Sequence, residues 1–328
     1  MNTLTADWQR QLAEAFSSID ALCQYLDLDS ADLPVLPQLK AFPLRVPRGF
    51  ADCMEKGNPH DPLLRQVLPL QDELLDVPGY NRDPVGDLNA VAAAGVIHKY
   101  HGRVLMIATG GCAVHCRYCF RRNFPYSEQQ LSTQKLEQAI DYIARRTEIS
   151  EVILSGGDPL LLSDDKLAVL IRKLEAIEHV SRIRIHSRIP VVLPARISPG
   201  LLNTLAKTRQ QIVLVLHANH ANELSDRVAE ACLHLKRRGV TLLNQSVLLK
   251  QVNDNSSALI GLSEKLFSLG VLPYYLHLLD HATGAGHFEV LEQQAKSLHQ
   301  TLQQQLPGYL VPKLVKEQSG ALNKIALS

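Results

Sequence analysis

The sequence has no excess of charge of one sign, no long hydrophobic run and no signal-peptide pattern, and each absence excludes a class of protein. Its 328 residues include 34 Lys and Arg against 33 Asp and Glu, so charge gives no reason to expect binding to nucleic acid or to an anionic membrane surface. No apolar run approaches the roughly 18 residues that a membrane span needs. The first residues lack the basic and apolar blocks of a secretory signal. We therefore expect a soluble, cytoplasmic protein with no nucleic-acid or membrane partner.

Cysteine is also scarce, and its distribution does not fit a disulfide framework. Of six cysteines, Cys23, Cys53 and Cys232 are scattered and are expected to be core or neutral residues. The other three follow the apolar run Val104–Ala108 in a C-x3-C-x2-C spacing. Thiolates this close together can converge on one metal centre, and soft thiolates select iron–sulfur clusters, zinc or copper.

Two interpretations of Cys112, Cys116 and Cys119 follow from the spacing. A ferredoxin cubane takes four cysteines, so a cluster on three cysteines keeps one iron open for a substrate that it can bind and reduce. The alternative is a structural zinc on three cysteines and a histidine, with His115 or a distant histidine as the fourth ligand.

Residues 1–100 differ in pattern from the rest of the chain. From Trp8 to Leu28, apolar residues recur with the 3.6-residue period of a helix. The stretch that follows is repeatedly interrupted by proline and is too irregular for long elements. We predict a helical N-terminal region over residues 1–100 that packs on the main body.

Over residues 101–306, short apolar runs alternate with helical patterns, which predicts an α/β fold of parallel strands with right-handed crossovers. The expected strands are Val104–Ala108, Glu151–Leu154, Arg182–His186, Ile212–His217, Val240–Leu248 and Leu272–Leu278. A doubly wound sheet and a barrel both fit this alternation. Chemically suggestive residues follow the strands, where a (β/α) barrel assembles its active site, and six units indicate a partial barrel. These residues are Cys112, Asp158, Arg188, His217, Gln245 and Asp280.

The cysteine motif resembles the signature of the radical S-adenosylmethionine (SAM) superfamily, with Tyr118 as the aromatic residue before the last cysteine. Residues 116–122, CRYCFRR, are similar to the lysine 2,3-aminomutase family, and the resemblance extends from Phe42 to Lys324. It implies a partial (β/α)6 radical SAM barrel and a C-terminal tail, residues 307–328, that binds pyridoxal 5′-phosphate (PLP). It also implies a [4Fe–4S] cluster on Cys112, Cys116 and Cys119, with SAM as the second cofactor.

The segment SGGDPL, residues 155–160, follows the second predicted strand. Paired glycines let the backbone approach a ligand, and an acid beside them can hold an ammonium group, although a turn with a helix-capping Asp is equally common. The resemblance implies that Gly156, Gly157 and Asp158 bind the amino group of SAM. It places His217 near the adenine and makes Gln245 a polar contact to SAM.

A lysine as close to the end of a chain as Lys324 is normally solvated, but the resemblance makes it the PLP lysine. Arg103 then matches the position that grips the PLP phosphate, and Lys99 falls where the family can carry an Arg near the cofactor. A bidentate Arg suits the carboxylate of an amino acid. The resemblance implies that Arg121 binds this carboxylate. It implies that Asp280 and Glu317 hold the ε-ammonium of lysine, although the second position is usually Asp.

Within the family, segments such as FPLRVPR, residues 42–48, resemble the bacterial aminomutase that supports β-lysylation of elongation factor P. We expect an isomerase that converts L-α-lysine to (R)-β-lysine for this modification, linked to elongation factor P, its lysyl ligase and a reductant such as flavodoxin or ferredoxin. No cysteine follows Cys232, so we expect no inter-subunit zinc of the kind in longer catabolic aminomutases; a homo-oligomer stays open. One alternative is a catabolic or biosynthetic aminomutase acting on free lysine or glutamate. The other is a non-catalytic protein stapled by zinc or a cluster.

Overall fold

A computed structural model describes residues 6–36, 42–126 and 132–327 of the chain. Within these ranges ten strands form one sheet, in which each strand pairs with the next one along the chain. The strands are β1 Val91–Ala93, β2 Val96–Tyr100, β3 Arg103–Thr109, β4 Glu151–Gly156, β5 Arg182–Ser187, β6 Gln211–His217, β7 Thr241–Val247, β8 Leu272–His277, β9 Lys313–Lys316 and β10 Ile325–Ala326. A doubly wound sheet reverses its strand order at a switch point, whereas this order never reverses. The topology is therefore that of a (β/α) barrel.

Strands β3 to β8 are parallel, and helices connect them as the sequence predicts. The connecting helices are α5 Thr133–Ala144, α6 Asp164–Glu175, the short α7 Ile189–Val192, α8 Pro199–Ala206, α9 Asp226–Arg237 and α10 Ser256–Ser268, and α11 Glu292–Gln305 precedes β9. The predicted α/β fold with a partial (β/α)6 barrel is confirmed. Strand β9 also runs parallel to β8, so the parallel part of the sheet extends one strand beyond the six predicted units.

Local sequence explains where several of these helices begin and which face they bury. Side chains at the N-cap position accept a hydrogen bond from a backbone N–H of the first turn, which would otherwise lack a partner. These residues are Ser132 for α5, Ser163 for α6, Ser198 for α8 and Asn255 for α10. In α6, the apolar residues Leu167, Leu170, Ile171 and Leu174 lie three or four positions apart and are all buried. The helix therefore packs one face against the sheet.

The N-terminal region contains short helices: α1 Ala6–Ala13, α2 Ile19–Tyr25, α3 Arg48–Ala51 and α4 Pro62–Arg65. The expectation of one continuous helix from Trp8 to Leu28 is wrong. Phe16 instead exchanges two backbone hydrogen bonds with Val46, at 2.8 and 3.0 Å, and Ser18 caps the start of α2. A partner thirty residues away thus interrupts a helix that the local apolar period favours.

Parts of the sheet lie outside the six predicted units. Strands β1 and β2 form an antiparallel hairpin within residues 1–100 and add to the edge of β3, while β9 and β10 lie within residues 307–328. The hairpin was missed because its alanine-rich sequence, VAAAGV, has little of the β-branched and aromatic character typical of strands. The boundaries of the three predicted regions, 1–100, 101–306 and 307–328, stay a prediction.

The two ends of the sheet approach each other through side chains. The hydroxyl of Tyr100, at the end of β2, donates a hydrogen bond of 2.9 Å to Glu317, which directly follows β9. The sheet therefore curls around an internal space that the C-terminal tail helps to close. In the described part of the chain, no helix combines the length and the apolar character that crossing a membrane requires.

Candidate active site

A cavity of about 670 Å³ lies inside the curled sheet, a size within the usual range for ligand sites. Its wall takes side chains from the strands β2 to β8, from the cysteine loop and from the tail. Every site residue expected from the sequence lines this cavity: Lys99, Arg103, Cys112, Cys116, Cys119, Arg121, Gly156, Gly157, Asp158, His217, Gln245, Asp280, Glu317 and Lys324. The fold thus brings together residues that are up to 225 positions apart in the chain.

The cysteine loop is held against the loop that follows β4 by close backbone contact. Gly157 N–H donates to Thr109 O and Asp158 N–H donates to Gly111 O, both at 2.7 Å. A Cβ atom on Gly157 would lie only 2.1 Å from Gly111 O, and Gly156 has a φ of +113°, which L-amino acids with side chains rarely adopt. The close contact between the two loops therefore accounts for both glycines without a ligand. Their contact with SAM stays a prediction.

The three cysteines form a donor set that suits an iron–sulfur cluster. Burial and the neighbouring Cys119 and Asp158 raise the pKa of Cys112 well above its usual value, and burial and Cys116 raise the pKa of Cys119 to about 11. Without a compensating cation these thiols hold their protons, whereas a bound metal centre favours the thiolates. Among the described residues, no three His, Cys, Asp or Glu side chains are grouped so as to hold a single metal ion. His115, proposed as a zinc ligand, has its Nδ1 within 2.7 Å of Pro43 O.

Asp158 lies beside the cysteines, but its carboxylate already has several donors. It accepts from the hydroxyl of Ser187 at 2.7 Å and from the backbone N–H groups of Arg188, Leu160 and Ile189 at 2.8 to 3.1 Å. Burial raises its pKa to about 6. These contacts tie the loop after β4 to the start of α7. The predicted bond from Asp158 to the amino group of SAM stays a prediction.

His217 and Gln245 end neighbouring strands and are in contact. Gln245 Nε2 lies 3.0 Å from His217 Nε2, and the ring of His186 meets that of His217 edge-on, with 5.8 Å between centroids. Burial and the nearby Arg188 lower the pKa of His217 to about 3. The ring is therefore neutral at physiological pH, the state that suits the stacking predicted for it.

The guanidinium of Arg121 is bound by Asp87, an acid that was not predicted from the sequence. Its Nε donates to Asp87 at 2.8 Å and its Nη1 donates to the hydroxyl of Ser155 at 3.0 Å. Asp87 also pairs with Lys99 at 2.6 Å. Burial alone would raise the pKa of Asp87, but Arg121 and Lys99 hold it below its usual value. Asp87 thus stays ionised and orients both cations.

The acids and Lys324 meet at the tail end of the cavity. Lys324 pairs with Glu317, and Lys99 Nζ lies 3.7 Å from the same carboxylate. Burial opposes ionisation of Glu317, but Lys324 and Lys99 nevertheless lower its pKa. Asp280 has the opposite shift, because burial and the negative charge of Glu317 raise its pKa to about 7. A further cation placed beside Asp280 would therefore favour the ionised form of its carboxyl group.

Arg103 lies at the far end of the cavity from the cysteine loop. It begins β3, six residues before Thr109, which at about 3.3 Å per residue puts the two roughly 20 Å apart along the strand. Its guanidinium packs over the ring of Tyr100, 4.8 Å from the centroid. Within the described residues, the buried Nε2 atoms of His186 and His277 have no hydrogen-bond partner although both side chains line the cavity. The guanidinium of Arg103, the amine of Lys324 and the two unpaired histidine nitrogens suit a phosphorylated, polar cofactor such as PLP.

Comparison with known proteins identifies the family. The radical SAM superfamily model matches residues 106–260. The chain is 49% identical to an L-lysine 2,3-aminomutase of Escherichia coli (strain K12), over 98% of this chain and 94% of the relative. It is also 49% identical to an L-lysine 2,3-aminomutase of Haemophilus influenzae, over 97% of this chain and 94% of the relative. The chain belongs to the L-lysine 2,3-aminomutase family of radical SAM enzymes.

Membership of the lysine 2,3-aminomutase family makes the chain an isomerase and gives it a [4Fe–4S] cluster and SAM as cofactors. The expectation of a family enzyme is confirmed, and the alternative of a non-catalytic stapled protein is wrong. Among solved structures, a radical SAM methyltransferase from Sphaerobacter thermophilus is similar, with a TM-score of 0.49 and 18% identity over 67% of this chain and 68% of the other.

Sequence reasoning missed three groups that line the cavity of this aminomutase-family chain. Asp87 follows a proline-rich loop and carries no motif, so only its contacts identify it. Arg188 was noted as a residue after a strand. Its hydrogen bond to Cys116 was not predicted, because the two residues are 72 positions apart in the chain. His186 and His277 lie at the ends of β5 and β8, and their spacing with His217, one per strand end, is the signal that could have found them.

Proposed function

We propose that this protein is a PLP-dependent radical SAM lysine 2,3-aminomutase that converts L-α-lysine to (R)-β-lysine for the β-lysylation of elongation factor P. One observation carries the proposal. A single cavity is lined by three cysteines, by an arginine close to them that Asp87 holds in place, and at its tail end by a lysine and a pair of acids. The cavity thus has donors for a cluster, an attachment point for PLP, and groups for both charged ends of a lysine.

At the cysteine end, Cys112, Cys116 and Cys119 would hold three irons of the cluster and leave the fourth for SAM. Gly156 and Gly157 bring the backbone against this loop, and Asp158 keeps the two loops in register. The neutral ring of His217, fixed by Gln245, offers a flat surface for the adenine. When bound, the cluster with SAM supplies the radical that abstracts hydrogen, and PLP supplies the conjugated ring over which the amino group migrates.

At the substrate end, charge favours lysine over glutamate. Arg121 would bind the α-carboxylate, and Asp87 holds its guanidinium in place. Asp280 and Glu317 would hold the ε-ammonium at the far end of the side chain. A glutamate side chain would bring a second carboxylate against these two acids, which is unfavourable at close range in a poorly solvated cavity. This pair of acids therefore disfavours the glutamate alternative.

Lys324 would carry PLP, with Arg103 binding the phosphate. Lys99 is a weaker candidate for the phosphate, because Asp87 and Glu317 already neutralise it at 2.6 and 3.7 Å. The tail holds Lys324 in position through β10, whose Ile325 pairs with Lys316 of β9.

The proposal extends to partners and location. The product would be passed to elongation factor P through its lysyl ligase, and a flavodoxin or ferredoxin would reduce the cluster, in the cytoplasm. These statements rest on the resemblance of segments such as residues 42–48. Deletion of the gene in its host should remove β-lysine from elongation factor P, as read by mass spectrometry. An elongation factor P still carrying β-lysine in the deletion strain would contradict this role.

The enzymatic part is tested by anaerobic purification, restoration of iron and sulfide, and addition of SAM, PLP, a reductant and L-lysine. β-Lysine, detected by mass spectrometry after derivatisation, is the expected product. The variant Cys116→Ala should lose the cluster and all turnover, whereas Cys232→Ala, a buried cysteine outside the cavity, should keep both. SAM cleavage by Cys116→Ala would contradict the assignment of Cys116 as a cluster ligand.

The role of Lys324 is tested by Lys324→Ala, with the exposed Lys313→Ala as the matched control. Lys324→Ala should keep the iron content and lose the absorbance of bound PLP together with β-lysine formation. Normal β-lysine formation by this variant would refute the PLP assignment.

A further inference from the structure

Cys116 differs from its two neighbours in the cysteine loop by accepting from buried side-chain donors. Arg188 Nη1 donates to Cys116 Sγ at 2.7 Å. The hydroxyl of Tyr118 is hydrogen-bonded to the same sulfur. The sulfur of Cys119, by contrast, accepts from the backbone N–H of Arg121.

Both donors are held in position by other buried groups. Tyr118 Oη accepts from Arg188 Nη1 and from Asn219 Nδ2, each at 2.7 Å. With two donors already on its oxygen, the hydroxyl has its own hydrogen to give to Cys116. On its other side, Arg188 Nη2 donates to Gln66 at 2.6 Å and to the fully buried Glu223 at 3.0 Å.

Stability alone does not account for this arrangement. Burying an Arg–Glu pair costs desolvation energy that the pair often fails to recover, and apolar residues of similar volume are frequently as stable. Arg188 also leaves its buried Nε without a hydrogen-bond partner among the described residues. The guanidinium is divided between Glu223, which neutralises it, and the sulfur of Cys116, which is the side that faces the cavity.

Hydrogen bonds to a cluster sulfur stabilise the reduced, more negative state and so raise the reduction potential. We propose that Arg188 and Tyr118 are positioning residues that set the reduction potential of the cluster through their hydrogen bonds to Cys116 Sγ. The step they favour is the transfer of one electron from an external reductant to the oxidised cluster. This inference rests on the proposed function, because it takes Cys116 as a cluster ligand.

The test is a redox titration of the reconstituted full-length protein, followed by electron paramagnetic resonance of the reduced cluster, without SAM or lysine. Tyr118→Phe removes one donor and changes no charge. Tyr309→Phe, at a partly exposed ring outside the cavity, is the matched control. At the solution potential where half of the wild-type clusters are reduced, Tyr118→Phe should show about a tenfold lower ratio of reduced to oxidised cluster. For a one-electron couple this corresponds to a midpoint about 59 mV more negative.

A second variant separates hydrogen bonding from net charge. Arg188→Gln combined with Glu223→Gln removes one positive and one negative charge together, so a more negative midpoint reports the lost donor to Cys116. Because this double change lies in the core, Tyr118→Phe alone decides the matter if the double variant does not fold.

The outcomes distinguish the inference from the proposed function. Tyr118→Phe with full iron content and the wild-type midpoint, or with a more positive midpoint, overturns the inference and leaves the proposed function intact. A wild-type protein that cannot be reconstituted with a cluster overturns both. A more negative midpoint at unchanged iron content supports the inference, since a merely structural role would reduce iron content instead.

Discussion

Asp280→Asn tests the electrostatics of the substrate end most directly. Burial and Glu317 raise the pKa of Asp280 to about 7, about three units above that of an ordinary aspartate. At about 1.36 kcal/mol per unit, keeping this side chain ionised would destabilise the substrate-free protein by about 4 kcal/mol. Because the folded-state pKa lies above the unfolded one, the stabilising contribution is fully present below about pH 4. It is lost as the pH rises through 7.

Asparagine cannot ionise, so Asp280→Asn should be more stable than the wild type above pH 7 and should lose most of that advantage towards pH 4. Water in the cavity relieves part of the cost, so we expect about 2 kcal/mol at pH 8, or a melting temperature about 4 °C higher. Scanning fluorimetry of both proteins between pH 4.5 and 8 measures the difference, with the exposed Asp76→Asn as control. In the reconstituted enzyme, saturating L-lysine should raise the melting temperature of the wild type more than that of Asp280→Asn. A difference between the two proteins that does not change with pH would refute the reasoning.

Three further predictions concern the cavity wall. Gly157→Ala would force a Cβ against Gly111 O and should lower the iron content after reconstitution. Gly308→Ala, at a position with open space around it, should leave the iron content unchanged. Equal iron content in both variants would contradict the close contact. Asp87→Asn leaves the buried Arg121 without its counter-charge, whereas Lys99 keeps Glu317 at 3.7 Å, and the change should destabilise the protein by about 3 kcal/mol. A denaturation midpoint within error of the wild type would show that the Asp87–Arg121 pair contributes little to stability. Glu317→Gln should raise the KM for lysine at least tenfold, because it removes a charge-assisted hydrogen bond. Glu317→Asp keeps the charge and should retain most activity. A wild-type KM for Glu317→Gln would exclude contact between Glu317 and the substrate.

The barrel was predictable because its signals are local. Each strand of the core is a short apolar run between helical patterns, and β5 and β6 begin and end within one residue of the expected ranges. The break at Phe16 was not predictable, because it depends on backbone bonds to Val46 rather than on the helical period around it. The hairpin of β1 and β2 escaped for a related reason, since its strands are specified by pairing with β3 and not by their own composition.

The candidate site shows the same division between local and tertiary information. Residues that follow parallel strands could be grouped from sequence, because the carboxyl ends of those strands meet at one end of a barrel. Their partners could not. Arg121 reaches Asp87 across 34 positions, and Arg188 reaches Gln66 across 122. Such pairs depend on how the N-terminal region folds over the barrel, and no spacing along the chain reports it.

The substrate end holds three basic and three acidic side chains, and this balance bears on the order of binding. The cations are Arg121, Lys99 and Lys324, and the acids are Asp87, Glu317 and Asp280. Before PLP is attached, Lys324 neutralises Glu317, so the place proposed for the ε-ammonium of lysine is already taken. If Lys324 were bonded to PLP, its ammonium would be lost, and Glu317 would share Lys99 with Asp87. The three acids would then outnumber the two remaining cations, Arg121 and Lys99. In the proposed mechanism, attachment of the cofactor therefore creates the negative site that selects lysine.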